Sequence, residues 1–346
     1  MGLNIILDMD YKLLMKAAVY REKADPPVLH IVDIPRPSPS AGEVLVRVEY
    51  IGVNPIDYWI SGGRYPLRTR YGIVGSECYG VVEEVGEGVE DLRPGDPVSI
   101  YPWLHCGRCG YCKSGLQQLC VNGGLVGGKI DGCYAEYVLL PVNNVYKVGS
   151  EGSGEAYATA GVSALTAIHA VNMADVREGE RVLVYGASGN VGMYILQYSK
   201  LRGAEVYGVS RWEWIKDYGA DHRVDRDGIG KLMDEGIRFD VIFNSMGGNL
   251  FSDSIDLLEK RGRIVTFGGL TSMESILKIA PLYRRELKII GSTGGTIEEF
   301  KQVLSDLESG RIKPKIWRIY KLDDAQDALR SLFSVERSGK ILIKTL

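Results

Sequence analysis

A glycine-rich turn between an apolar strand and an apolar helix constrains the fold of this chain most strongly. The segment RVLVY, at 181–185, runs directly into GASGNVG, at 186–192, and an apolar stretch continues to Leu201. Glycines allow a tight turn and a close approach to a pyrophosphate, and the following helix offers free N–H groups to its oxygens. The pattern predicts a dinucleotide site in a parallel sheet. The alternative is a tight turn with a purely structural role.

Strand-like and helix-like segments alternate around this turn, which is typical of a doubly wound sheet with helices on both faces. An Ala-rich helix is predicted at 156–171, and a later helix at 298–308. The other predicted strands are 205–209, 241–244, 263–267, 288–291 and the C-terminal KILIKTL, and the other predicted helices are 191–201, 212–218 and 250–258.

The first 150 residues or so have a different pattern, with alternating apolar residues typical of half-buried strands. Such runs occur at 28–34, 43–51, 80–85 and 133–140. Residues 1–14 are interpreted as an extension before a first strand that starts at Met15. The sequence thus predicts an α/β protein in which a β-rich part precedes the doubly wound part.

The strand after the glycine turn bears on which dinucleotide is bound. An NAD site usually has an acidic residue at this strand's tip, whereas here the strand is followed by Ser210 and Arg211, with no acid before Glu213. Guanidinium groups pair strongly with phosphate, so these residues favour the 2′-phosphate of NADP(H). Lys216 is a weaker candidate for the same phosphate. Alternatively, Arg211 is a surface charge or stacks on adenine while NAD is bound.

Four cysteines have the spacing of one metal site. Cys106, Cys109 and Cys112 lie three residues apart and Cys120 follows eight residues later. Four thiolates form the closed tetrahedral site of a structural zinc ion, which has no open position for a substrate. An iron–sulfur cluster or disulfides from partial oxidation are the alternatives.

Charge and composition disfavour several classes of protein. The net charge of −3 and pI of about 5.9 argue against a nucleic-acid-binding protein. No apolar run approaches about 18 residues, so no membrane span is expected. The N-terminus does not resemble a signal peptide, and six cysteines in 346 residues are too few for a disulfide scaffold. We expect a cytoplasmic protein.

Taken together, these motifs identify the chain as resembling the medium-chain dehydrogenase/reductase superfamily, which contains zinc alcohol dehydrogenases and metal-free quinone oxidoreductases. The resemblance rests on GEVLVRV, GVNPID, GSECYGVVEEVGEGV, the cysteine lobe, IDGCYAEYV and GASGNVG. It implies a GroES-like β-rich catalytic domain at 1–160 that carries the zinc lobe, a Rossmann domain at 161–295, and a return to the catalytic domain at 296–346. The active site would lie between the domains, and the chain would form a homodimer or homotetramer.

The chain departs from the zinc alcohol dehydrogenases where they bind their catalytic zinc. By resemblance, the ligand Cys is replaced by Asn54, the ligand His by Ser76 and the third ligand by Val162, while the proton-relaying hydroxyl residue is replaced by Ile56. These residues bind zinc poorly. The segment around Asn54, Pro55 and Asp57 is instead similar to the quinone-reductase branch, although that branch usually lacks the cysteine lobe.

Without a catalytic metal, other donors must stabilise the charge that develops on a reduced carbonyl. Asn54, Tyr58 and Ser76 are the candidates, although a turn, packing and a helix cap are the respective structural alternatives. Trp59, Trp103 and Tyr101 are candidates for an aromatic wall against a bulky apolar substrate, with core packing equally compatible. The predicted cofactor-binding residues are Gly186, Ser188, Gly189, Asn190, Val191, Gly192, Ser210, Arg211, Gly268 and Thr293.

The sequence therefore predicts an NADPH-dependent reductase of a ketone, quinone or activated enone, with one structural zinc ion and no catalytic metal. Two alternatives remain open. One is a zinc alcohol dehydrogenase with unusual ligands such as Glu77, Cys78 and His105. The other is a non-enzymatic NADPH-binding sensor or structural protein.

Overall fold

Two large sheets organise the computed structural model, which describes residues 14–65 and 69–345. The strands are β1 (Leu14–Tyr20), β2 (Leu29–Pro35), β3 (Glu43–Gly52), β4 (Cys78–Val85), β5 (Pro97–Ile100), β6 (Trp103–Leu104), β7 (Gly124–Leu125), β8 (Tyr137–Pro141), β9 (Val145–Lys147), β10 (Arg181–Val184), β11 (Glu205–Val209), β12 (His222–Val224), β13 (Phe239–Phe243), β14 (Leu258–Thr266), β15 (Lys288–Gly291), β16 (Ile316–Lys321) and β17 (Lys340–Lys344). The α-helices are α1 (Pro55–Ser61), α2 (Gly110–Lys113), α3 (Gly154–Tyr157), α4 (Leu165–Ala174), α5 (Gly192–Leu201), α6 (Ile229–Asp234), α7 (Gly248–Ser254), α8 (Ile279–Arg284), α9 (Ile297–Glu308) and α10 (Ala325–Arg330).

The first sheet has seven strands in the order β16-β17-β3-β4-β5-β9, with β8 also paired to β3. Its central strand, β3, has the alternating valines noted in the sequence, and Val44, Val46 and Val48 are fully buried. The hairpin of β1 and β2 packs on the same hydrophobic core. This sheet positions helix α1, which follows β3 after Val53 and Asn54.

The second sheet has six parallel strands in the order β12-β11-β10-β13-β14-β15. Counted within this sheet the order is 3-2-1-4-5-6, the arrangement of a dinucleotide-binding fold. The first three strands are added toward one edge of the sheet and the last three toward the other, so the strand order switches between β10 and β13, and ligands are expected at the carboxyl ends of these two strands. The predicted doubly wound sheet and the β-rich first part are both confirmed.

The C-terminal segment returns to the first sheet. Strand β17 pairs antiparallel with β3, with Leu342 opposite Gly52 and Lys344 opposite Tyr50, and β16 pairs parallel with β17. This pairing places Lys340, at the start of β17, beside the end of β3.

Several elements differ from their predicted bounds. The Ala-rich helix is interrupted by a π-helical turn, Ala160–Ala164, because the N–H groups of Val162 and Ser163 donate to the Glu77 carboxylate. The segment 212–218 forms only a 3-10 helix, Glu213–Tyr218. The strand expected at 133–140 is confined to β8, and KILIKTL is extended only to Lys344.

The extension predicted at 1–14 lies outside the described residues except for Leu14. Across 14–65 and 69–345, none of the helices combines the length and the apolar character needed to cross a membrane.

Candidate active site and metal centre

A cleft of about 450 Å³ lies between the carboxyl ends of the parallel strands and the start of α1. The residues that follow β10, β13 and β14 form one wall, and the residues before the last strand close one end. Its lining includes Asn54, Pro55, Ile56, Trp59, Val162, Thr166, Tyr185, Gly186, Ser188, Gly189, Asn190, Val191, Gly192, Arg211, Ser245, Met246, Phe267, Gly268, Gly269, Leu270, Leu332, Ser334 and Arg337.

The glycine turn forms one side of this cleft and leads into the ten-residue helix α5. Gly186 has a φ of 64°, which favours glycine, and a Cβ at Gly192 would collide with the carbonyl oxygen of Gly186. Gly192, the first residue of α5, lines the cleft, so the positive end of the helix dipole lies where a pyrophosphate would bind. Gly268 also lines the cleft. Thr293 is exposed and is not among the lining residues that the structure describes.

At the tip of β11 the two candidates for a 2′-phosphate have different surroundings. The Ser210 hydroxyl is buried and accepts a hydrogen bond from the N–H of Trp212. Arg211 is exposed, lines the cleft and forms no ion pair with any described residue. The nearest acid in sequence, Glu213, is instead paired with Lys216 and Arg223.

The four cysteines of the second motif converge as their spacing predicts. The Sγ atoms of Cys106, Cys109, Cys112 and Cys120 all lie within 4.8 Å of one another, and none of these thiols is in a disulfide. Backbone N–H groups of Arg108 and Cys109 lower the pKa of Cys106 to about 6, which favours the thiolate that zinc binds. The donor set and its closed geometry fit a structural zinc ion.

Beneath the cleft, the ammonium group of Lys340 is fully buried among oxygen atoms. Its Nζ donates to Glu77 Oε1, to Ser163 Oγ at 2.8 Å, to Asn54 Oδ1 at 2.9 Å and to the carbonyl of Val53 at 3.1 Å. The three N–H bonds of Lys340 are thus shared among four acceptors, so the ammonium group has no free donor. Burial lowers the pKa of Lys340, and Glu77 opposes that shift.

Glu77 is as fully paired as Lys340. Its carboxylate accepts the N–H groups of Val162 at 2.6 Å and Ser163 at 3.0 Å, and the Nδ2 group of Asn54 at 2.8 Å. Its side chain is 1% exposed. Such a carboxylate is stable in the interior only with these partners.

The side chain of Asn54 is held by the groups around it. Its Nδ2 donates to Glu77 and to the carbonyl of Gly52 at 3.1 Å, and its Oδ1 accepts from Lys340 and from Asn190 Nδ2 at 2.9 Å. Both N–H bonds therefore point away from the cleft. Asn54 lines the cleft but has no free donor for a substrate oxygen.

The other two predicted catalytic residues lie away from the cleft lining. Ser76 is fully buried and donates to the carbonyl of Val126 at 2.8 Å. Tyr58 donates to Asp25 at 2.8 Å and packs edge-on against Phe333. Thr166, three residues after Ser163, is a hydroxyl-bearing residue that does line the cleft.

Asp57 lies in the same buried region. Its Oδ2 accepts the N–H of Asn54 at 2.9 Å and the hydroxyl of Tyr134 at 3.3 Å, whereas Oδ1 has no partner among the described residues. Burial raises the pKa of Asp57 to about 7, although Lys340 opposes this shift.

The aromatic wall is only partly formed. Trp59 lines the cleft. Tyr101 is buried and donates to the carbonyl of Gly295 at 2.8 Å, while Trp103 packs against Gly294. The last two residues therefore support the loop after β15.

The alternative zinc ligands do not form a common site. His105 contacts the carbonyl of Trp103 and borders a different cavity, beside Cys106. Cys78 is buried, and burial together with Cys78 raises the pKa of Cys133 well above its ordinary value. Within 14–65 and 69–345, the only group of at least three His, Cys, Asp or Glu residues close enough to share an ion is the four-cysteine group.

Comparison with known proteins places this geometry in a family. Residues 40–150 match the alcohol dehydrogenase GroES-like domain, and residues 190–309 match the zinc-binding dehydrogenase domain. The chain belongs to the medium-chain dehydrogenase/reductase superfamily. It is therefore an NAD(P)-dependent oxidoreductase, and the resemblance inferred from its motifs is confirmed.

Three similar proteins illustrate the range of this family. A cobalt- and zinc-bound thermostable alcohol dehydrogenase from Pyrobaculum aerophilum has 37% identity and a TM-score of 0.88, covering 96% of this chain and 100% of its own. An NAD-dependent alcohol dehydrogenase from Sulfolobus acidocaldarius is 32% identical over 95% of this chain and 99% of its own. An acryloyl-coenzyme A reductase from Metallosphaera sedula is 29% identical over 90% of this chain and 95% of its own.

Sequence reasoning missed Lys340, Ser163 and Arg337. Lys340 lies in a terminal strand, 263 residues from Glu77, and a lysine there is expected on the surface. The only available signal was its place at the start of an apolar strand, which does not reveal its partner.

Proposed function

We propose that this chain is an NADPH-dependent reductase that transfers hydride to an activated enone, a quinone or a ketone without a catalytic metal. The observation that carries the proposal is the Lys340 ammonium group, which lies among Asn54, Glu77 and Ser163. The positive charge beneath the cleft thus belongs to the protein.

The donor set at this position does not fit a catalytic zinc ion. Zinc prefers thiolate, imidazole and carboxylate ligands and needs an open position for substrate. Here an amide, a hydroxyl and one carboxylate surround an ammonium group that uses all three of its N–H bonds. A metal ion could enter only if Lys340 left, and it would still find a single anionic ligand.

This arrangement favours substrates whose reduction needs little stabilisation of the developing negative charge by the protein. The bound cofactor would supply the hydride, and the chain's residues would position the acceptor and keep the cleft apolar. Hydride addition to an enone or quinone gives an anion that is delocalised over the substrate itself. An unactivated ketone gives a localised oxyanion, which Asn54 cannot stabilise because its N–H bonds point inward. The similarity to acryloyl-coenzyme A reductases supports the same order of preference.

The preference for NADPH is supported by the free charge of Arg211 beside the cleft. A guanidinium group without a carboxylate partner is suited to a 2′-phosphate. The named relatives that use NAD favour the second candidate, an alcohol dehydrogenase that uses NAD.

The test is a steady-state assay of NADPH and NADH oxidation with 2-cyclohexenone, a naphthoquinone and acetophenone, and of alcohol oxidation with and without added zinc. We expect turnover of the enone and quinone above the ketone, a preference for NADPH and no activation by zinc. Zinc-activated alcohol oxidation would contradict the proposal. Tight NADPH binding without turnover of any acceptor would indicate a non-enzymatic role.

A single substitution tests the cofactor preference separately. Arg211→Ala should weaken NADPH binding about 10- to 100-fold, the range for a charge-assisted contact, and leave NADH binding unchanged. Lys216→Ala, which removes a neighbouring cation already paired with Glu213, is the matched control. Equal affinities for NADPH in the wild type and Arg211→Ala would contradict the proposal.

A further inference from the structure

The segment that follows β11 carries Ser210 and Arg211 and is anchored by aromatic side chains. After Trp212 it continues as the 3-10 helix Glu213–Tyr218. A 3-10 helix has poor hydrogen-bond geometry, and one this short has little stability of its own. Contacts with other parts of the chain must therefore fix its position.

Two indole groups of this segment donate hydrogen bonds to the loop before β17. Trp212 Nε1 donates to the carbonyl of Arg337 at 3.1 Å, and Trp214 Nε1 donates to Ser338 Oγ at 2.7 Å. That loop leads directly into β17, which pairs with β3 of the first sheet. The tip of β11, in the second sheet, is thus tied to the first sheet.

A third aromatic side chain extends this anchoring. The hydroxyl of Tyr218 donates to the carbonyl of Pro314 at 3.2 Å, and the ammonium group of Lys313 lies 5.1 Å from the centre of the Tyr218 ring. Trp214 packs edge-on against Tyr218, with ring centres 5.0 Å apart. Three aromatic side chains therefore hold one short helix against the loops before β16 and β17.

The position of Arg211 depends on this anchoring. Its guanidinium group lines the cleft but forms no hydrogen bond or ion pair with any residue of 14–65 or 69–345. Its backbone is fixed on both sides, because the N–H of Trp212 donates to Ser210 Oγ at 3.0 Å and the N–H of Ser210 donates to the carbonyl of Val224 at 3.0 Å. A charged group that is mounted on a fixed backbone loses less conformational freedom when it binds a ligand.

We propose that Trp212 and Trp214 are positioning residues that hold Arg211 at the subsite for the 2′-phosphate through the loop before β17. This inference rests on the proposed use of NADPH. Neither indole is among the described residues that line the cleft, so both act through Arg211 and not by contact with the cofactor. The choice between NADPH and NADH then depends on a contact between the two sheets.

The experiment compares the binding of NADPH and NADH by calorimetry. Trp214→Phe removes the donor but keeps an aromatic ring, and Ser338→Ala removes its acceptor with little change in volume. Each should weaken NADPH about 3- to 10-fold, the range for one net hydrogen bond, and leave the affinity for NADH unchanged. The double variant should lose no more than either single variant, and Trp212→Phe should show a loss of similar size.

A second comparison separates positioning from a general structural role. In the Arg211→Ala background, Ser338→Ala should cause no further loss of NADPH affinity, because no guanidinium group remains to be positioned. Trp317→Phe is the matched control, because Trp317 lies on β16 outside the described lining of the cleft and stacks on Arg318. This control should keep the wild-type affinities for both cofactors.

A wild-type ratio of NADPH to NADH affinity in both Trp214→Phe and Ser338→Ala would overturn the inference. So would an equal loss for the two cofactors, or additive losses in Arg211→Ala/Ser338→Ala, since either would indicate general damage to the site. A wild type that prefers NADH would refute the proposed cofactor and this inference together. A wild type that prefers NADPH, with an unchanged ratio in the variants, would refute this inference alone.

Discussion

At the scale of single residues, the ion pair of Lys340 and Glu77 determines which charges lie beneath the cleft. Both side chains are essentially inaccessible to solvent, and each is surrounded by hydrogen-bonding partners. A buried ion pair of this kind contributes little net stability, but removal of one partner leaves an uncompensated charge.

Lys340→Met should therefore lower the free energy of unfolding by about 3 kcal/mol or more. The double variant Glu77→Gln/Lys340→Met, which removes both charges, should recover at least half of that loss. Urea denaturation of the two variants and the wild type measures this. A double variant less stable than Lys340→Met would show that the unpaired Glu77 carboxylate does not cause the loss in the free energy of unfolding.

Asp57 makes stability depend on pH. Burial raises its pKa to about 7 from an ordinary value of 3.8, so between these values the folded state binds a proton that the unfolded state releases. This contribution is complete at low pH and is lost as the pH rises toward 7. Asp57→Asn cannot titrate, so the wild type should lose about 2 kcal/mol relative to this variant between pH 5 and pH 8.

Denaturation of both proteins at pH 5 and pH 8 measures this difference, and Asp25→Asn, at the partner of Tyr58, is a nearby control. A constant difference between the wild type and Asp57→Asn would indicate that Asp57 is ionised at both pH values.

At the scale of elements, the cysteine lobe depends on its ion. Helix α2 has only four residues and β6 and β7 only two each, too little structure to be stable without a cross-link. Burial raises the pKa of Cys112 to about 12, so its thiolate needs a cation.

Cys112→Ser should reduce bound zinc to nearly zero per chain and make the lobe sensitive to proteolysis. Cys78→Ser, at a buried thiol outside the lobe, should retain the zinc. Elemental analysis and limited proteolysis provide the measurements. Retention of zinc by Cys112→Ser would refute the four-thiolate site.

Local patterns predicted most elements because they depend on neighbours in sequence. The alternation of Val44, Val46 and Val48 indicated a half-buried strand, and the glycine turn indicated its strand and helix. The π-helical turn at Ala160–Ala164 could not be predicted, because its cause is the carboxylate of Glu77 about 85 residues away. The cysteine site was predictable because all four ligands lie within one short segment.

The cleft was predictable in outline but not in detail. Asn54 was identified as a residue of the cleft, but the direction of its N–H bonds depends on Lys340 and Asn190, which lie on distant segments. Tyr58 lies four residues after Asn54, and Ser76 directly precedes Glu77, yet their hydroxyl groups donate to Asp25 and to the carbonyl of Val126.

At the scale of the whole molecule, one edge of the parallel sheet is exposed. Among the described strands, β15 pairs with β14 alone, and Ile289 on it is 42% exposed. Several large apolar side chains nearby are also exposed: Met273, Ile276, Ile279 and Tyr283. An exposed strand edge can pair with another chain, and a large exposed apolar patch marks an interaction site.

We expect a second copy of the chain to cover this edge, so the protein should sediment at a multiple of its 38.1 kDa chain mass. Ile289→Lys should shift the population toward the monomer, whereas Val121→Lys, at an exposed site on the zinc lobe, should not. Analytical ultracentrifugation distinguishes these outcomes. A wild type that is monomeric at micromolar concentration would contradict this prediction.

We propose that the ammonium group of Lys340, and not a metal ion, provides the positive charge beneath the cleft. The most direct test is the zinc content per chain, measured by mass spectrometry on folded protein purified without added metal. One zinc ion per chain, lost in Cys112→Ser, is the predicted result. Two zinc ions per chain, with one retained in Cys112→Ser, would contradict this proposal, because Lys340 would then have to leave its place between Asn54 and Glu77.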